Sequence, residues 1–268
     1  MFTGFKLYTD ETFANYKDIG ETIFKTNAEK LEVEIDKFLS LDGSIDGTKM
    51  QDTWFPEVKA DIFLSHSHKD RDKAMGFAGY LKSHFNLTVF IDSCVWGYSD
   101  NLLKKIDEKY CKNENGLTYD YEKRNYSTSH VHTMLTTALV KMIHKTECLF
   151  FLNTPNAMEV KDNIANKTAS PWIYMEMAMS DMVEKIEPRR EGFLKKALFE
   201  GTEMASKDLT VKYDLKTDHL TFLNQQHLDN WMRSYQDVPL KTALSLNINA
   251  LDFLYYQHNR IKEVEEVR

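Results

Sequence analysis

The sequence predicts an α/β fold, an open parallel sheet with helices on both faces, and three observations predict it. Short apolar runs rich in Ile, Val, Leu and Phe recur at residues 61–65, 87–92 and 148–152. Each ends in small polar residues, the pattern of a parallel strand buried on both faces with function at its carboxyl end. Between the first two runs lie Ala74, Phe77, Ala78, Leu81 and Phe85 at helical spacing. Strand, polar loop, amphipathic helix and strand make a βαβ unit, whose crossover is expected to be right-handed.

The 268 residues suffice for one large domain or two small ones. Charged residues make up 28% and hydrophobic ones 42%, the balance of a soluble globular chain. With 10 glycines and 5 prolines, long disordered linkers are not expected. A net charge of -7 disfavours a broad phosphate-binding surface, so no nucleic-acid partner is expected. Cys94, Cys111 and Cys148 form an odd set without a CxxC pair, and read as reduced thiols of a cytoplasmic protein rather than as a disulfide framework or zinc site. The first residues lack the basic start and apolar core of a signal peptide. No apolar run approaches the roughly 20 residues of a membrane span, so no membrane partner is expected.

Taken in order, residues 1–56 read as a helical extension ahead of the first strand. Leu31, Val33, Ile35, Phe38 and Leu39 fall partly at helical spacing there, before Asp-Gly turns at 42–43 and 46–47. The extension either packs on the core or serves as a partner-binding arm. The core domain is placed at 57–232, and a helical C-terminal extension at 233–268. After the βαβ unit, Ser99 and Asp100 precede Leu102, Leu103 and Ile106, which reads as a helix start. Residues 112–128 are polar, carry Tyr119, Tyr121 and Tyr126, and show no periodicity, so an insertion loop is placed at about 108–128. Helical spacing returns over 129–144 through Val131, Leu135, Ala138, Leu139 and Met142. The strand at 148–152 ends in a turn at 153–156, and Ser170 followed by Pro171 fits a helix N-cap and first position. Residues 185–196 read as a solvated basic surface, 209–213 as a half-buried edge strand, and 219–231 and 240–261 as helices.

In an open parallel sheet, ligands bind outside the carboxyl ends of the strands. Residues 65–71, 92–100 and 153–156 converge there, carrying Ser, His, Asp, Arg, Trp, Tyr and Asn side chains. That mixture suits a nucleotide: an aromatic for a ring, donors for phosphate and a carboxylate for ribose hydroxyls. It equally suits ordinary polar loops. Neither a phosphate loop of the form GxxxxGK[ST] nor a GxGxxG motif is present.

Residues 61–70, DIFLSHSHKD, and the run Val89-Phe90-Ile91-Asp92 followed by Trp96-Gly97, at their separation, resemble the first two boxes of bacterial Toll/interleukin-1 receptor (TIR) domains. Trp172 with Glu176 four residues on resembles the helix of that family that begins Trp-x-x-x-Glu, in matching order. The resemblance covers about residues 58–185, or to about 232 with the last strand, and implies a flavodoxin-like sheet. Many TIR domains outside animal receptors cleave NAD+ between nicotinamide and ribose. The resemblance therefore implies NAD+ as substrate, no metal, and self-association through TIR surfaces. It further implies a cyclic or conjugated ADP-ribose signal that reaches a separate effector, as in Thoeris-like antiphage defence. A non-catalytic interaction module is the other function it allows.

The same resemblance implies site residues. In the family a Glu stands a few residues beyond a Gly at the start of the helix after the second strand. Here Asp100 matches it after Gly97, one methylene shorter. Two roles are open to Asp100: stabilising an oxocarbenium-like transition state at the ribose, or capping a helix. His130 and His132 form a second catalytic pair of candidates. At i and i+2 they point to different helix faces, so one alone would act as acid or base. Ser65, Ser67, Arg71, Asp92, Trp96 and Tyr98 are the candidates for holding NAD+, with Tyr126 and Ser127 of the insertion as further lining. Glu176 is expected to be structural, as its family counterpart chiefly is.

Overall fold

The structure, a computed structural model, describes residues 1–28, 35–161, 165–188, 213–238 and 249–258. Along the chain run β1 (Thr3–Tyr8), α1 (Lys17–Ala28), α2 (Gly47–Trp54), β2 (Ile62–Ser65), α3 (Arg71–Phe85), β3 (Val89–Ile91), α4 (Ser93–Ile106), α5 (Tyr121–Lys145) and β4 (Cys148–Leu152). They are followed by β5 (Glu159–Lys161), β6 (Ala165–Thr168), α6 (Pro171–Met182), β7 (Tyr213–Asp214), β8 (Thr221–Asn224), α7 (Gln225–Gln236) and α8 (Ala250–Gln257).

Five strands form a parallel sheet in the order β3-β2-β4-β1-β8. Helices cover both faces, as the continuous apolar runs require. Ile62, Leu64, Val89, Ile91, Phe150, Leu152, Phe5 and Leu7 pack toward α3, α7 and α8. Phe63, Phe90, Leu149 and Phe151 pack toward α2, α4, α5 and α6. The alternation follows the two-residue period of a strand. The strand order is compatible with a flavodoxin-like fold: β3-β2-β4 repeats the 2-1-3 start of that order. A smaller antiparallel sheet, β5-β6-β7, stands apart from it.

Several expectations are corrected. Residues 1–56 do not lie ahead of the first sheet strand as a helical extension. β1 sits inside the sheet, paired over Thr3–Leu7 with β4 and over Phe5–Tyr8 with β8. Lys6 disguises this strand, because a charge breaks the continuous apolar run that marks β2 and β4. Its ammonium is accommodated by donating to Thr217 Oγ1 at 3.0 Å. The helix expected to start at Ser99–Asp100 starts at Ser93, with Asp92 as its N-cap. The insertion expected as a loop at 108–128 is largely regular. A π-helical turn spans Asp107–Cys111, Lys112 bridges to Tyr119, and α5 begins at Tyr121 under an Asp120 cap. The region read as one helix at 219–231 holds β8 and the start of α7, divided by the Asn224 capping box with His227. Of the edge strand expected at 209–213, only Tyr213 lies within the described residues, in β7. The helix expected at 240–261 is seen as α8, and the rest of that span, like 189–196 of the basic stretch, lies outside the described residues apart from residues 249 and 258.

Glycine sets the packing of α1 on α3. A Cβ at Gly20 would stand 1.8 Å from Met75 O, and one at Gly79 would stand 2.0 Å from Tyr16 O. The two helices therefore meet backbone to backbone, and only hydrogen fits between them. Among the described residues no helix is long and apolar enough to cross a membrane.

Candidate active site

The parallel sheet aligns the carboxyl ends of all five strands on one edge. The chain leaves β2 for β3 on one side and then returns to β4 on the other, so the order reverses between β2 and β4. Ligands of open α/β sheets bind at such a reversal. Here the two loops are tied together: Asp70, after β2, accepts hydrogen bonds from Thr154 Oγ1 and from Asn156 Nδ2, the latter at 2.7 Å. A second tie spans the β1 and β8 ends, where Thr9 Oγ1 donates to Gln225 Oε1 at 2.7 Å and Lys73 donates to the Thr9 carbonyl. Residues 65–71 and 153–156 thus converge as expected.

Beneath this edge lies a dry polar cluster. Ser65 and His66 at the end of β2, Asp92 at the end of β3 and Glu176 on α6 are all 0% exposed. Ser65 Oγ donates to Glu176 Oε2 at 2.6 Å, and His66 Nδ1 stands 2.6 Å from Asp92 Oδ1. Asp92 Oδ1 also accepts from Ser93 N at 2.7 Å, which caps α4. The remaining oxygens, Asp92 Oδ2 and Glu176 Oε1, are buried without a hydrogen-bond partner among the described residues. Burial pushes Asp92 up to about 8, against the Glu176, Ser93 and His66 hydrogen bonds that favour its charge. Burial, followed by the neighbouring Asp92 charge, holds Glu176 well above the usual carboxylate range. Burial pulls His66 down to about 4, although Glu176 and Asp70 favour its cation. Neutral imidazole therefore faces Asp92 at neutral pH, and burial pushes both carboxyls toward their protonated forms.

Two nucleotide-holding candidates, Ser65 and Asp92, belong to this closed cluster and present no surface to a ligand. Ser67 is also buried, and its side chain caps the single turn His68–Asp70 by accepting from Lys69 N at 3.4 Å. Arg71 is exposed but turned toward α1, its guanidinium 4.4 Å over the Phe24 ring. Tyr98 is half-buried and packs on the core of the α4 face. Trp96 lies in α4, and its side chain is outside the described set.

Asp100 is exposed in α4 and is not that helix's cap. Ser93, Gly97 and Asp100 follow one another at i, i+4 and i+7 and so share a face. Ser93 is buried at the base, Gly97 is exposed, and a Cβ at Gly97 would meet nothing within 4 Å. Asp100 thus presents its carboxylate beside open space, about 10 Å along α4 from its start. It makes no hydrogen bond or ion pair with a described residue.

His130 and His132 are exposed in the middle of α5, so the expected helix start beside them is absent. His130 stands edge-on to Tyr126 at 4.5 Å between ring centroids, and His132 edge-on to Trp172 at 5.5 Å. Trp172 lies one helical turn before Glu176, so His132 faces the first turn of α6. No ring contact or hydrogen bond among the described residues joins either histidine to Asp100. Tyr126 is exposed, whereas the Ser127 hydroxyl is buried and committed: it donates to Asp107 Oδ1 at 2.6 Å, and Arg124 Nε reaches Asp107 Oδ2 at 2.8 Å. This clamp anchors the excursion that follows α4.

Glu176 is expected to be structural and lies in the buried cluster, but the residues it meets there are not legible in the sequence. His66 adjoins Ser65 with no partner in sight, and Glu176 lies 84 positions beyond Asp92. The available signal was Glu176 as a lone charge in Trp-Ile-Tyr-Met-Glu-Met-Ala-Met, since a carboxylate among apolar neighbours on a packed helix must be paired or protonated.

Sheet, reversal point and edge define an α/β protein of the open parallel-sheet class, with its polar groups gathered at and beneath the carboxyl edge. No family model, curated protein or solved structure matches the chain.

Proposed function

We propose that this chain is a TIR-like enzyme that cleaves NAD+ at the bond between nicotinamide and ribose. Nicotinamide leaves as a neutral molecule, so the protein's main task is to hold the ribose and stabilise positive charge as it develops there. The observation that carries this reading is the exposed Asp100 carboxylate beside the open face at Gly97, on the helix that rises from the carboxyl end of β3. Asp100 is assigned to the ribose. His132, beside Trp172, is the candidate for proton transfer to or from the acceptor. The acceptor is water, the substrate's own adenine or another group, and a product of the last two kinds would serve as a signal in antiphage defence. A second reading, a non-catalytic assembly module, is favoured by Leu117, Tyr121 and Tyr126, which are 86%, 79% and 70% exposed on the excursion after α4.

The test is chromatography of free nicotinamide after the purified protein is incubated with NAD+, alone and with lysate of phage-infected cells. Release that disappears in Asp100→Ala supports the enzyme reading. Absence of nicotinamide under every condition removes it and leaves the assembly module. Full activity in Asp100→Ala removes the assignment of Asp100 alone.

A further inference from the structure

We infer that Asp70 is the receptor for the hydroxyls of the adenosine ribose, and that Asn156 is a latch that covers it until the ligand arrives. The inference rests on the proposed NAD+ reading, in which Asp100 is assigned to the other ribose of the same molecule.

The strand order reverses between β2 and β4, where an open parallel sheet takes its ligand, and Asp70 and Asn156 stand one on each side of that reversal. Asp70 ends the single turn His68–Asp70 and immediately precedes α3. An aspartate at such a place commonly caps the helix, but this side chain makes no capping bond to α3. Its carboxylate is turned across the reversal instead. Oδ2 accepts from Thr154 Oγ1, and Oδ1 accepts from Asn156 Nδ2 at 2.7 Å. Both donors are uncharged, one a hydroxyl and one an amide. The adjacent cation, Arg71, is turned to the Phe24 ring at 4.4 Å.

The two donors differ in how firmly they are placed. Thr154 is 8% exposed, and its hydroxyl also accepts from Ala157 N at 3.2 Å. Its carbonyl accepts from the N–H groups of buried Ala157 and Met158, at 3.0 Å each. Thr154 is thus a fixed support. Asn156 is exposed and follows exposed Pro155, so its amide can leave the carboxylate by a change of rotamer without backbone movement. Its departure opens Oδ1. A carboxylate has about four lone-pair sites. With Thr154 keeping one of them, Asp70 can accept both O–H groups of a vicinal diol. A diol supplies donors to a group that only accepts. A phosphate on one of those hydroxyls puts a negative charge there instead. A carboxylate at this ribose therefore selects NAD+ over its adenosine 2′-phosphate, NADP+.

The test is isothermal titration calorimetry of the full chain with ADP-ribose and with its adenosine 2′-phosphate, neither of which carries nicotinamide to lose. The wild type is expected to bind ADP-ribose at least about tenfold tighter, because the phosphate sets like charges together. In Asp70→Asn, ADP-ribose is expected to bind about 10- to 100-fold more weakly, the worth of hydrogen bonds to a charged acceptor, and its preference over the 2′-phosphate to shrink to within about threefold. Asn156→Ala removes the competitor and keeps the receptor, so ADP-ribose is expected to bind about three- to tenfold tighter. A latch with only a structural role predicts otherwise: both substitutions would weaken both ligands alike. A wild type that binds neither ligand, or both equally, overturns the inference. So does an Asp70→Asn protein that keeps the preference, or an Asn156→Ala protein that binds ADP-ribose no tighter. If Asp70→Asn does not fold, Asn156→Ala with the two ligands decides alone. A preference that depends on Asp70, in a protein that releases no nicotinamide from NAD+, refutes the cleavage and keeps the ribose site. Nicotinamide released at equal kcat/KM from NAD+ and NADP+, by the wild type and by Asp70→Asn, refutes the site and keeps the cleavage.

Discussion

Between pH 6.5 and 8 the protein is expected to lose stability that its Asp92→Asn variant keeps. Asp92 rises from 3.8 to about 8 on folding because burial penalises its charge. Across that window the folded state holds a proton that the unfolded state has released. Stability from this group is thus fully present below pH 3.8 and is lost as pH rises through about 8. His66 slopes the other way: pulled down from 6.5 to about 4, it contributes stability present above pH 6.5 and lost as pH falls through about 4. The two nearly cancel between about pH 4 and 6.5. Above that window Asp92 is no longer offset by His66, and at about 1.4 kcal/mol per pH unit its share alone costs about 2 kcal/mol by pH 8. Glu176, pushed in the same direction, adds to the loss. For a chain of this size that is a fall in Tm of roughly 4–8 °C. Asparagine keeps the cap on Ser93 and donates to Glu176, which lets Glu176 carry its charge. The assay is urea unfolding at half-unit steps from pH 6 to 8.5 for both proteins. The difference between them is the measure, because it removes the titrating groups outside the Asp92–Glu176 pair. A difference that does not change with pH, or a wild type that gains on the variant toward pH 8, refutes the reasoning.

Three further outcomes follow from the geometry. Gly79→Ala places a Cβ 2.0 Å from Tyr16 O, a backbone atom that cannot turn aside, and is expected to lower the stability of the α1–α3 pair by about 1–3 kcal/mol in urea unfolding. Asp107→Ala takes from Ser127 the closer of its two acceptors, leaving the Arg124 carbonyl at 3.0 Å, and leaves Arg124 without its carboxylate; it is expected to cost about 1–3 kcal/mol and to speed hydrogen exchange over residues 112–120. Asp100→Asn keeps the shape but removes the charge proposed to face the ribose, and is expected to cut nicotinamide release by about 100-fold or more with unfolding midpoints unchanged.

What was legible in the sequence follows from burial. β2, β3 and β4 are covered on both faces, so their residues are apolar without interruption and announce themselves. β1 carries Lys6 in its middle, and in β8, at the edge of the sheet, only Leu223 is buried while Phe222 is half-exposed. Both are made strands by partners far away in the chain, which no local pattern reports. The first turns of α5 carry the pattern of a loop because a helix that faces solvent on nearly all sides shows no apolar stripe; of residues 121–130, only Ser127 is buried. At the candidate site, the convergence of the loops after β2 and β4 was legible from strand topology alone. The inward turn of Ser65 and Asp92 was not, since a capping carboxylate in a dry cluster and one in an open pocket share the same residue type. Their distinction lies in Glu176, which approaches from another helix.

The central place of β1 makes the order of synthesis matter. β1 is made first, yet its partners β4 and β8 emerge more than 140 and more than 200 residues later. At about 5–20 residues per second on the ribosome, the first strand waits roughly ten to forty seconds for the second of its two neighbours. The β2-α3-β3 unit, local in sequence, forms meanwhile, and the slow closure is the insertion of β1 between β4 and the late-arriving β8. A chain shortened by its first eight residues would keep every residue of the carboxyl-edge cluster and still leave β4 and β8 facing a missing rung. Two unpaired edges in the middle of a sheet invite pairing with other chains, so a tag or truncation at this end is expected to show itself as aggregation before it shows itself as lost chemistry.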